Sequence, residues 1–265
     1  MRETSWKTVK NNSSDTPLVE DLARYIEYRL EDGETVLDLS PGKGAQLRAW
    51  LQGRAPAGSD PLKDVAVSAA ACNQCRLGAA RTRSVPGQGN PHPEIMFIGE
   101  APGEDEDLQG LAFVGAAGQL LTRMIVAMGL SREQVFIANI CKCRPPGNRP
   151  PEPDEMAACL PFLRAQIAAL RPRVIVALGG TALFGLLQVK GITRARGTWM
   201  KYEEIDLMPT FHPSYLLRTP GAKREVWADL QEVLKRLGRT PPPARKAAPS
   251  PALRQNKMLP KGRNL

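Results

Sequence analysis

The chain has 265 residues, of which 42% are hydrophobic and 24% are charged, a composition typical of a globular protein. Its longest mostly apolar run, Val174 to Leu187, has 14 residues and three glycines, which is too short for a transmembrane helix of about 20 residues. Residues 1–15 lack the apolar segment of a secretory signal, so we expect an unsecreted protein with reduced thiols. The two histidines, His92 and His212, are too far apart for an HExxH zinc protease.

The net charge of +9 suggests a polyanionic partner such as nucleic acid. Residues 239–265, however, contain seven Lys or Arg and no Asp or Glu, so the remaining chain carries only +2. This segment is rich in proline and poor in apolar residues, and we expect a disordered basic tail. The tail either adds weak, salt-dependent attraction to DNA or serves only as a solubilising arm.

Residues 1–65 are predicted to form an N-terminal extension that ends in a linker-like stretch at residues 54–64. Thr16-Pro17 is typical of a helix start, because a capping residue precedes a proline at the first helical position. The segment VLDLSPGKG, residues 36–44, resembles the first strand and glycine loop of a methyltransferase. A lone glycine motif is weak, so we favour a small helical or mixed extension.

Residues 66–238 are predicted to form an α/β domain. Short apolar runs predict four strands, Ile95–Ile98, Val135–Ile140, Val174–Leu178 and Ile205–Phe211. Helical stretches follow them, Ala117–Met128, Asp154–Leu170, Thr181–Leu187 and Lys223–Leu237. We expect Pro161 to kink the second of these helices or to delay its regular part. The alternation indicates right-handed βαβ units around a parallel sheet, with functional loops at the C-terminal ends of its strands.

The five cysteines include four candidate metal ligands. Cys72 and Cys75 form a C-x2-C pair, and Cys143 and Cys159 form a second pair separated by fifteen residues. This spacing differs from the paired C-x2-C of a zinc ribbon and suits a [4Fe–4S] cluster, while zinc and chance remain open. The fifth thiol, Cys141, is predicted to point into the core without a ligand.

Two features follow the first predicted strand. Glu100 begins the acidic loop GEAPGEDED, whose carboxylates suit proton transfer or water positioning, or simply face solvent. Phe113 precedes a helix at a glycine-rich entry, where its ring either stacks on a planar ligand or packs in the core.

Asn139 and His212 end the second and fourth predicted strands. The Asn139 amide can donate and accept hydrogen bonds at once, which reading a base edge requires, or it serves a turn. A histidine at a strand end suits stabilisation of a leaving anion or proton transfer, or belongs to a turn. The segment Ser214–Arg218 either wedges into a base stack and holds a phosphate, or forms the first turn of a packed helix.

Several motifs occur in order between Ala71 and Leu237. They are C-x2-C-x-L with Arg81-Thr82 and GQGNP, FIGEAPGEDED, FVGAAGQLL, NICKCRPPGNRPPEPDEMAAC, IVALGG and FHPSYLLR. Together they resemble family 4 of the uracil-DNA glycosylases, the iron–sulfur type of bacteria and archaea. The resemblance implies a three-layer α/β/α fold with a central four-stranded parallel sheet, and an enzyme of base excision repair. It also implies that four residues bind a structural [4Fe–4S] cluster: Cys72, Cys75, Cys143 and Cys159.

The resemblance assigns roles to the first glycine-rich loop. Glu100 belongs to the first catalytic motif, Ala101 presents its backbone to uracil, and Glu106 helps to place the sugar or the attacking water. Ala101 stands where some other uracil glycosylases carry a water-activating Asp. Water activation therefore falls to a neighbouring acid, or is weak.

The same resemblance implies contacts to the base and to DNA. Phe113 would stack on uracil, Asn139 would read its Watson–Crick edge, and His212 would lie beside its O2 and stabilise the departing anion. One short segment is expected to contact DNA, with either of its two leucines entering the base stack: Ser214, Leu216, Leu217 and Arg218.

We therefore expect a cytoplasmic, monomeric, monofunctional glycosylase that acts on uracil-containing DNA, single- or double-stranded, without a membrane. A related branch cross-links itself to the abasic sugar through a histidine in a basic loop. The corresponding stretch here, CRPPGNRPP, contains no histidine, so turnover is expected. The alternative is a catalytically inactive or altered-specificity DNA-binding member of the same fold.

Overall fold

A computed structural model describes residues 60–242 of the chain. The predicted N-terminal helix, the VLDLSPGKG loop and most of the basic tail lie outside the described residues. Within residues 60–242, none of the helices is both long enough and apolar enough to cross a membrane.

The described residues form one mixed sheet. Its strands are β1 (Gln88–Gly89), β2 (Ile95–Gly99), β3 (Phe136–Asn139), β4 (Val174–Leu178), β5 (Met200–Tyr202) and β6 (Ile205–Thr210). They lie in the order β1-β3-β2-β4-β6-β5. The four central strands are parallel, as predicted. The prediction missed β1 and β5, which pair antiparallel at the two edges and extend the sheet to six strands.

Helices connect these strands. They are α1 (Pro61–Ala71), α2 (Leu77–Ala80), α3 (Glu104–Gln109), α4 (Ala116–Ala127), α5 (Pro153–Leu170), α6 (Gly180–Leu187), α7 (Ile192–Ala195), α8 (Pro213–Arg218) and α9 (Lys223–Arg236). The four predicted helices correspond to α4, α5, α6 and α9, with ends within one residue of the prediction. Helix α5 begins at Pro153 and continues through Pro161, so the expected delay is wrong. Helix α1 begins inside the predicted linker, because the Asp60 side chain caps its first backbone N–H groups.

Helices cover both faces of the sheet, which confirms the expected three layers. Successive residues of a strand point to opposite faces. In β2, Ile95 and Phe97 pack in a core with α4 and α9, whereas Met96 and Ile98 pack in a second core with α5 and α6. Burial on both faces explains why the parallel strands are continuous apolar runs in the sequence.

The strand order creates a crevice at one edge of the sheet. The chain passes from β2 to β3 on one side and then crosses to β4 on the other side of β2. The loops that follow β2 and β4 therefore diverge at the C-terminal ends of the strands, which is where ligands bind in open α/β sheets.

Candidate active site

A pocket of about 490 Å³ lies at the C-terminal ends of the parallel strands. This volume is within the range of ligand-binding clefts. The pocket is lined by eight of the residues that the sequence predicts for catalysis or binding: Glu100, Ala101, Glu106, Phe113, Asn139, His212, Ser214 and Arg218. These eight residues come from three segments of the chain, which follow β2, end β3 and follow β6, and they meet in one place.

Asn139 places a buried amide in this pocket. It is the last residue of β3, pairs in register with Gly99 of β2, and is 1% exposed. Its Oδ1 has no hydrogen-bond partner among the described residues, whereas its backbone carbonyl accepts a hydrogen bond from the Lys142 Nζ at 2.9 Å. An unpaired buried acceptor costs free energy. The arrangement suits an acceptor that pairs with a donor on a ligand.

Phe113 lies against the same strand end in a strained conformation. Its φ of 53° falls in the left-handed region, which is rare for a bulky residue. The Arg132 guanidinium donates to the backbone carbonyls of Phe113 at 3.0 Å and Ala112 at 2.6 Å and holds this conformation. A Cβ on Gly99 would come within 2.4 Å of both the Phe113 ring and the Asn139 Oδ1. The glycine is therefore what allows the ring and the amide to occupy neighbouring space.

The Glu106 carboxylate orders the backbone next to Phe113. Its Oε1 accepts hydrogen bonds from the N–H groups of Val114 at 2.8 Å and Gly115 at 2.9 Å, and its Oε2 accepts one from Gly103 at 3.0 Å. Both oxygens are thus engaged by backbone. Glu106 also lines the pocket, so its expected role in placing the sugar or the water stays a prediction.

Glu100 is held differently. Its Oε2 accepts a hydrogen bond from the Thr181 hydroxyl at the start of α6. Its Oε1 makes no hydrogen bond to the described residues, and the side chain lines the pocket. Glu100 is therefore the acid with an oxygen available to a ligand or a water molecule.

His212 lies between β6 and α8 and caps the helix. Its Nδ1 accepts a hydrogen bond from the Ser214 backbone N–H at 3.1 Å and is 2.7 Å from the Ser214 Oγ. Burial, with a smaller effect of the Arg218 charge, lowers the pKa of His212 to about 4. The ring is therefore neutral at pH 7. Because Nδ1 accepts, the proton lies on Nε2.

The two leucines expected to contact DNA are both in helix α8, but they differ in exposure. Leu216 is 1% exposed and packs in the core, so the structure corrects its expected role in the base stack. The packed-helix interpretation is right for this side chain. Leu217 is 44% exposed, and Arg218 is exposed next to the pocket. Of the two leucines, Leu217 alone is accessible to DNA.

The four cysteines of the predicted metal site line a second, smaller cavity, the cysteine cavity: Cys72, Cys75, Cys143 and Cys159. They come from the loop after α1, the segment after β3, and α5. Within residues 60–242, no three His, Cys, Asp or Glu side chains are grouped to hold one metal ion. A [4Fe–4S] cluster binds its four thiolates through four different irons. Its ligands therefore do not have to meet at one metal ion.

Hydrogen-bond donors approach the sulfurs in this cavity. The Lys142 backbone N–H donates to the Cys159 Sγ at 3.1 Å, and the Arg81 guanidinium donates to the Cys143 Sγ at 3.2 Å. Cys141 is fully buried, as predicted. Interaction with the neighbouring Cys141 thiol lowers the pKa of Cys159, while Cys159 and burial raise the pKa of Cys141. Donors of this kind favour anionic sulfur, the form that binds metal.

Comparison with known proteins places the chain in a family. The model of the uracil DNA glycosylase superfamily matches residues 86–231, which is more than half of the chain and includes every pocket residue described above. The chain belongs to the uracil DNA glycosylase superfamily. The resemblance seen in the sequence motifs is thereby confirmed.

Within the superfamily, the chain is similar to proteins named type-4 uracil-DNA glycosylase. It is 51% identical to that of Thermotoga maritima over 168 residues, covering 61% of this chain and 86% of the relative. It is 45% identical to that of Saccharolobus solfataricus over 192 residues, covering 69% and 89%. The protein from Archaeoglobus fulgidus is 41% identical over 192 residues, covering 69% and 96%.

Some residues of this superfamily member were missed in the sequence. Thr181 follows the motif IVALGG, and a hydroxyl at a helix start two glycines after a strand is a signal for a partner of Glu100. Asn148 and Arg149 also line the pocket, and no pattern in the stretch CRPPGNRPP predicts this. Lys142 and its hydrogen bonds were not predicted, because a lysine between two cysteines carries no pattern that indicates burial.

We expect His212 to remain uncharged down to about pH 4. Because this pKa lies below the ordinary value of 6.5, the unfolded chain binds the proton first as the pH falls. The contribution of neutral His212 to stability is therefore complete above pH 6.5 and is lost as the pH falls towards 4. Ring-proton NMR of a His92→Gln variant, in which His212 is the single histidine, measures this pKa. A midpoint near 6.5 would contradict the buried, neutral state.

Proposed function

We propose that this chain is a monofunctional, monomeric uracil-DNA glycosylase that flips uracil out of DNA, hydrolyses its N-glycosidic bond and leaves an abasic site. The observation that carries the proposal is the unpaired Oδ1 of Asn139, buried in a pocket beside the Phe113 ring. Membership of the superfamily and the names of the type-4 relatives support the same conclusion.

Asn139 is suited to select uracil. Uracil presents an N3–H donor next to the O4 acceptor, so the Asn139 Oδ1 can accept from N3–H while the Nδ2 donates to O4. Cytosine reverses both groups along this edge and would leave the buried amide opposed by groups of the same kind. A good bidentate contact of this type discriminates by about 1–3 kcal/mol.

The Phe113 ring and helix α8 are suited to hold a flipped nucleotide. Flipping costs a few kcal/mol, and stacking of a base on an aromatic ring returns about 1–3 kcal/mol. The exposed Leu217 side chain can fill the space that the base leaves in the stack. Ser214 and Arg218 lie beside it and can contact the DNA backbone, in either single- or double-stranded substrates.

His212 is suited to stabilise the leaving group. As the glycosidic bond breaks, negative charge develops on the uracil O2 and positive charge on the sugar. A neutral imidazole with its proton on Nε2 can donate a hydrogen bond to O2. The Phe113 and His212 ring centroids are 5.7 Å apart, so the stacking surface and this donor serve the same base.

Glu100 is the residue we assign to the attacking water. The Thr181 hydroxyl holds one carboxylate oxygen, and the other faces the pocket without a partner among the described residues. Water then adds to the sugar and leaves an abasic site. The buried Lys142 donates to Asn139 and Gln166, so it is not placed to form a Schiff base with the sugar, and strand cleavage should not follow.

We further propose that the cysteine cavity holds a [4Fe–4S] cluster, with Cys72, Cys75, Cys143 and Cys159 as its ligands. The four thiols that line one cavity and the N–H donors to two of their sulfurs support this assignment. The group would supply a structural link between the segment before the sheet and helix α5, and the reaction needs no electron from it.

The decisive experiment uses a labelled oligonucleotide with a single uracil, followed by alkali and a denaturing gel. We expect a cleaved band after alkali that is absent without alkali and absent with thymine in place of uracil. A band without alkali would indicate strand cleavage by the protein. If protein with full iron content gave no band, the assignment to uracil would be wrong, and other deaminated bases would be the next substrates.

Asn139→Ala should lower kcat/KM for uracil roughly 10- to 100-fold, the factor expected from loss of a bidentate base contact. Affinity for abasic product DNA should change less than threefold, because the phosphate contacts remain. Asn90→Ala is the control, since Asn90 lies in a turn away from the pocket and accepts only a local hydrogen bond from the His92 N–H. Excision by Asn139→Ala at the wild-type rate would contradict the role of this amide.

Gly99→Ala should abolish most excision, because the added Cβ would lie 2.4 Å from both the Phe113 ring and the Asn139 Oδ1. We expect at least a tenfold lower kcat/KM with a protein that still folds. Gly221→Ala is a matched control, because nothing lies within 4 Å of a Cβ at that position. Gly99→Ala with wild-type activity and melting temperature would show that the pocket does not need this close approach.

Cys143→Ala should lose the bound iron and its visible absorbance, and the melting temperature should fall. Cys141→Ala removes a buried thiol two residues away and should retain the iron, because Cys141 does not line the cysteine cavity. Iron per chain, measured in both variants and in the wild type, distinguishes a ligand from a structural thiol. Equal iron loss in the two variants, or a wild type without iron, would refute the assignment.

A further inference from the structure

Lys142 is a buried cation without a carboxylate partner among the described residues. It is 1% exposed and lies three residues after Asn139. Its Nζ donates to the Asn139 backbone carbonyl at 2.9 Å and to the Gln166 Oε1 at 2.7 Å. Burial of an ammonium is costly unless its N–H donors form hydrogen bonds. The two acceptors therefore stabilise the buried position of the Lys142 side chain.

A fixed hydrogen-bond network supports this lysine. The Gln166 Nε2 donates to the Pro86 carbonyl at 2.7 Å, and the Val85 N–H donates to the Lys142 carbonyl at 2.7 Å. Helix α5, the segment before β1 and the end of β3 therefore meet at one side chain. The network is entirely buried or partly buried, where hydrogen bonds are strong and hard to replace.

The Asn139 amide makes no hydrogen bond through its Oδ1 to the described residues. This oxygen and the Phe113 ring share the narrow space beside Gly99, so packing and not a hydrogen bond surrounds the amide oxygen. The direction of its amide therefore depends on the backbone at the end of β3. Two hydrogen bonds hold the peptide group between Asn139 and Ile140: the Ile140 N–H donates to the Gly99 carbonyl at 3.0 Å, and the Lys142 ammonium donates to the Asn139 carbonyl at 2.9 Å.

We infer that Lys142 is a positioning residue for Asn139, which aims the amide at the uracil edge through a hydrogen bond to its backbone carbonyl. Lys142 does not line the uracil pocket; it lines the cysteine cavity instead, and its own N–H donates to the Cys159 sulfur. The inference rests on the proposed function for the identity of the base. It adds a residue outside the pocket that sets selection inside it.

A double-mutant cycle tests this inference, with Lys142→Met, Asn139→Ala and the double variant. Methionine keeps the length and apolar character of the side chain and removes the donor. In the wild-type background, Lys142→Met should lower kcat/KM for uracil at least tenfold. In the Asn139→Ala background it should lower kcat/KM less than threefold, because no amide is left to position. The same factor in both backgrounds would overturn the inference.

Iron content and melting temperature are measured for all four proteins. Iron loss confined to the variants with Lys142→Met would place the role of Lys142 in the cysteine cavity and would also overturn the inference. If Lys142→Met fails to fold, Gln166→Leu serves in its place, since it removes the second acceptor of the ammonium and leaves Asn139 and Lys142 present. The same dependence on the Asn139 background is expected for Gln166→Leu, and equal losses would refute the inference.

An NMR measurement separates this inference from the proposed function. The side-chain amide signals of Asn139, assigned by their absence in Asn139→Ala, should shift or broaden in Lys142→Met and in Gln166→Leu. An unchanged Asn139 amide would refute the role of Lys142 even if the protein excises uracil. A wild type that does not excise uracil would refute the proposed function, while the amide shift still decides whether Lys142 orients Asn139.

Discussion

The parallel pairing of β2 with β3 is the constraint on which the pocket depends. It places Gly99 beside Asn139 at the C-terminal ends of two buried strands. Because Gly99 has no side chain, an aromatic ring from one loop and an amide from a strand end share a narrow space. His212, at the end of β6, is brought to the same edge by the pairing of β4 with β6. The pairing of the strands therefore fixes the positions of Asn139 and His212, and the glycine-containing loops complete the pocket around them.

The pocket contains local strain and an unpaired polar atom, and its surroundings hold both in place. A left-handed Phe113 costs of the order of 1–3 kcal/mol, and an unpaired buried acceptor costs a similar amount. Arg132 and Glu106 bind the backbone of residues 112–115, which includes Phe113, through four hydrogen bonds. The unfavourable groups are thus the ones that face the ligand, and the charged groups around them are fully used in maintaining that state.

The sequence indicates the parallel strands and long helices well, because apolar runs and helical spacing are local patterns. It also indicates Asn139 and His212, since each is a polar residue at the end of a predicted apolar strand. It does not separate Leu216 from Leu217, because only the packing of α8 decides which side chain is buried. The edge strands β1 and β5 have two and three residues, too few for a pattern. The backbone contacts of Glu106 and the burial of Lys142 arise from residues distant in sequence, so no local pattern predicts them.

The five residues from Asn139 to Cys143 connect the uracil pocket with the cysteine cavity. The amide at one end lines the uracil pocket, and the sulfur at the other lines the cysteine cavity. An insertion or deletion within this stretch would displace either the amide from its register with Gly99 or the thiol from its cavity. Changes of length should therefore be tolerated in exposed turns and excluded from this stretch. In any redesign of substrate choice, the spacing between these two residues has to be treated as fixed.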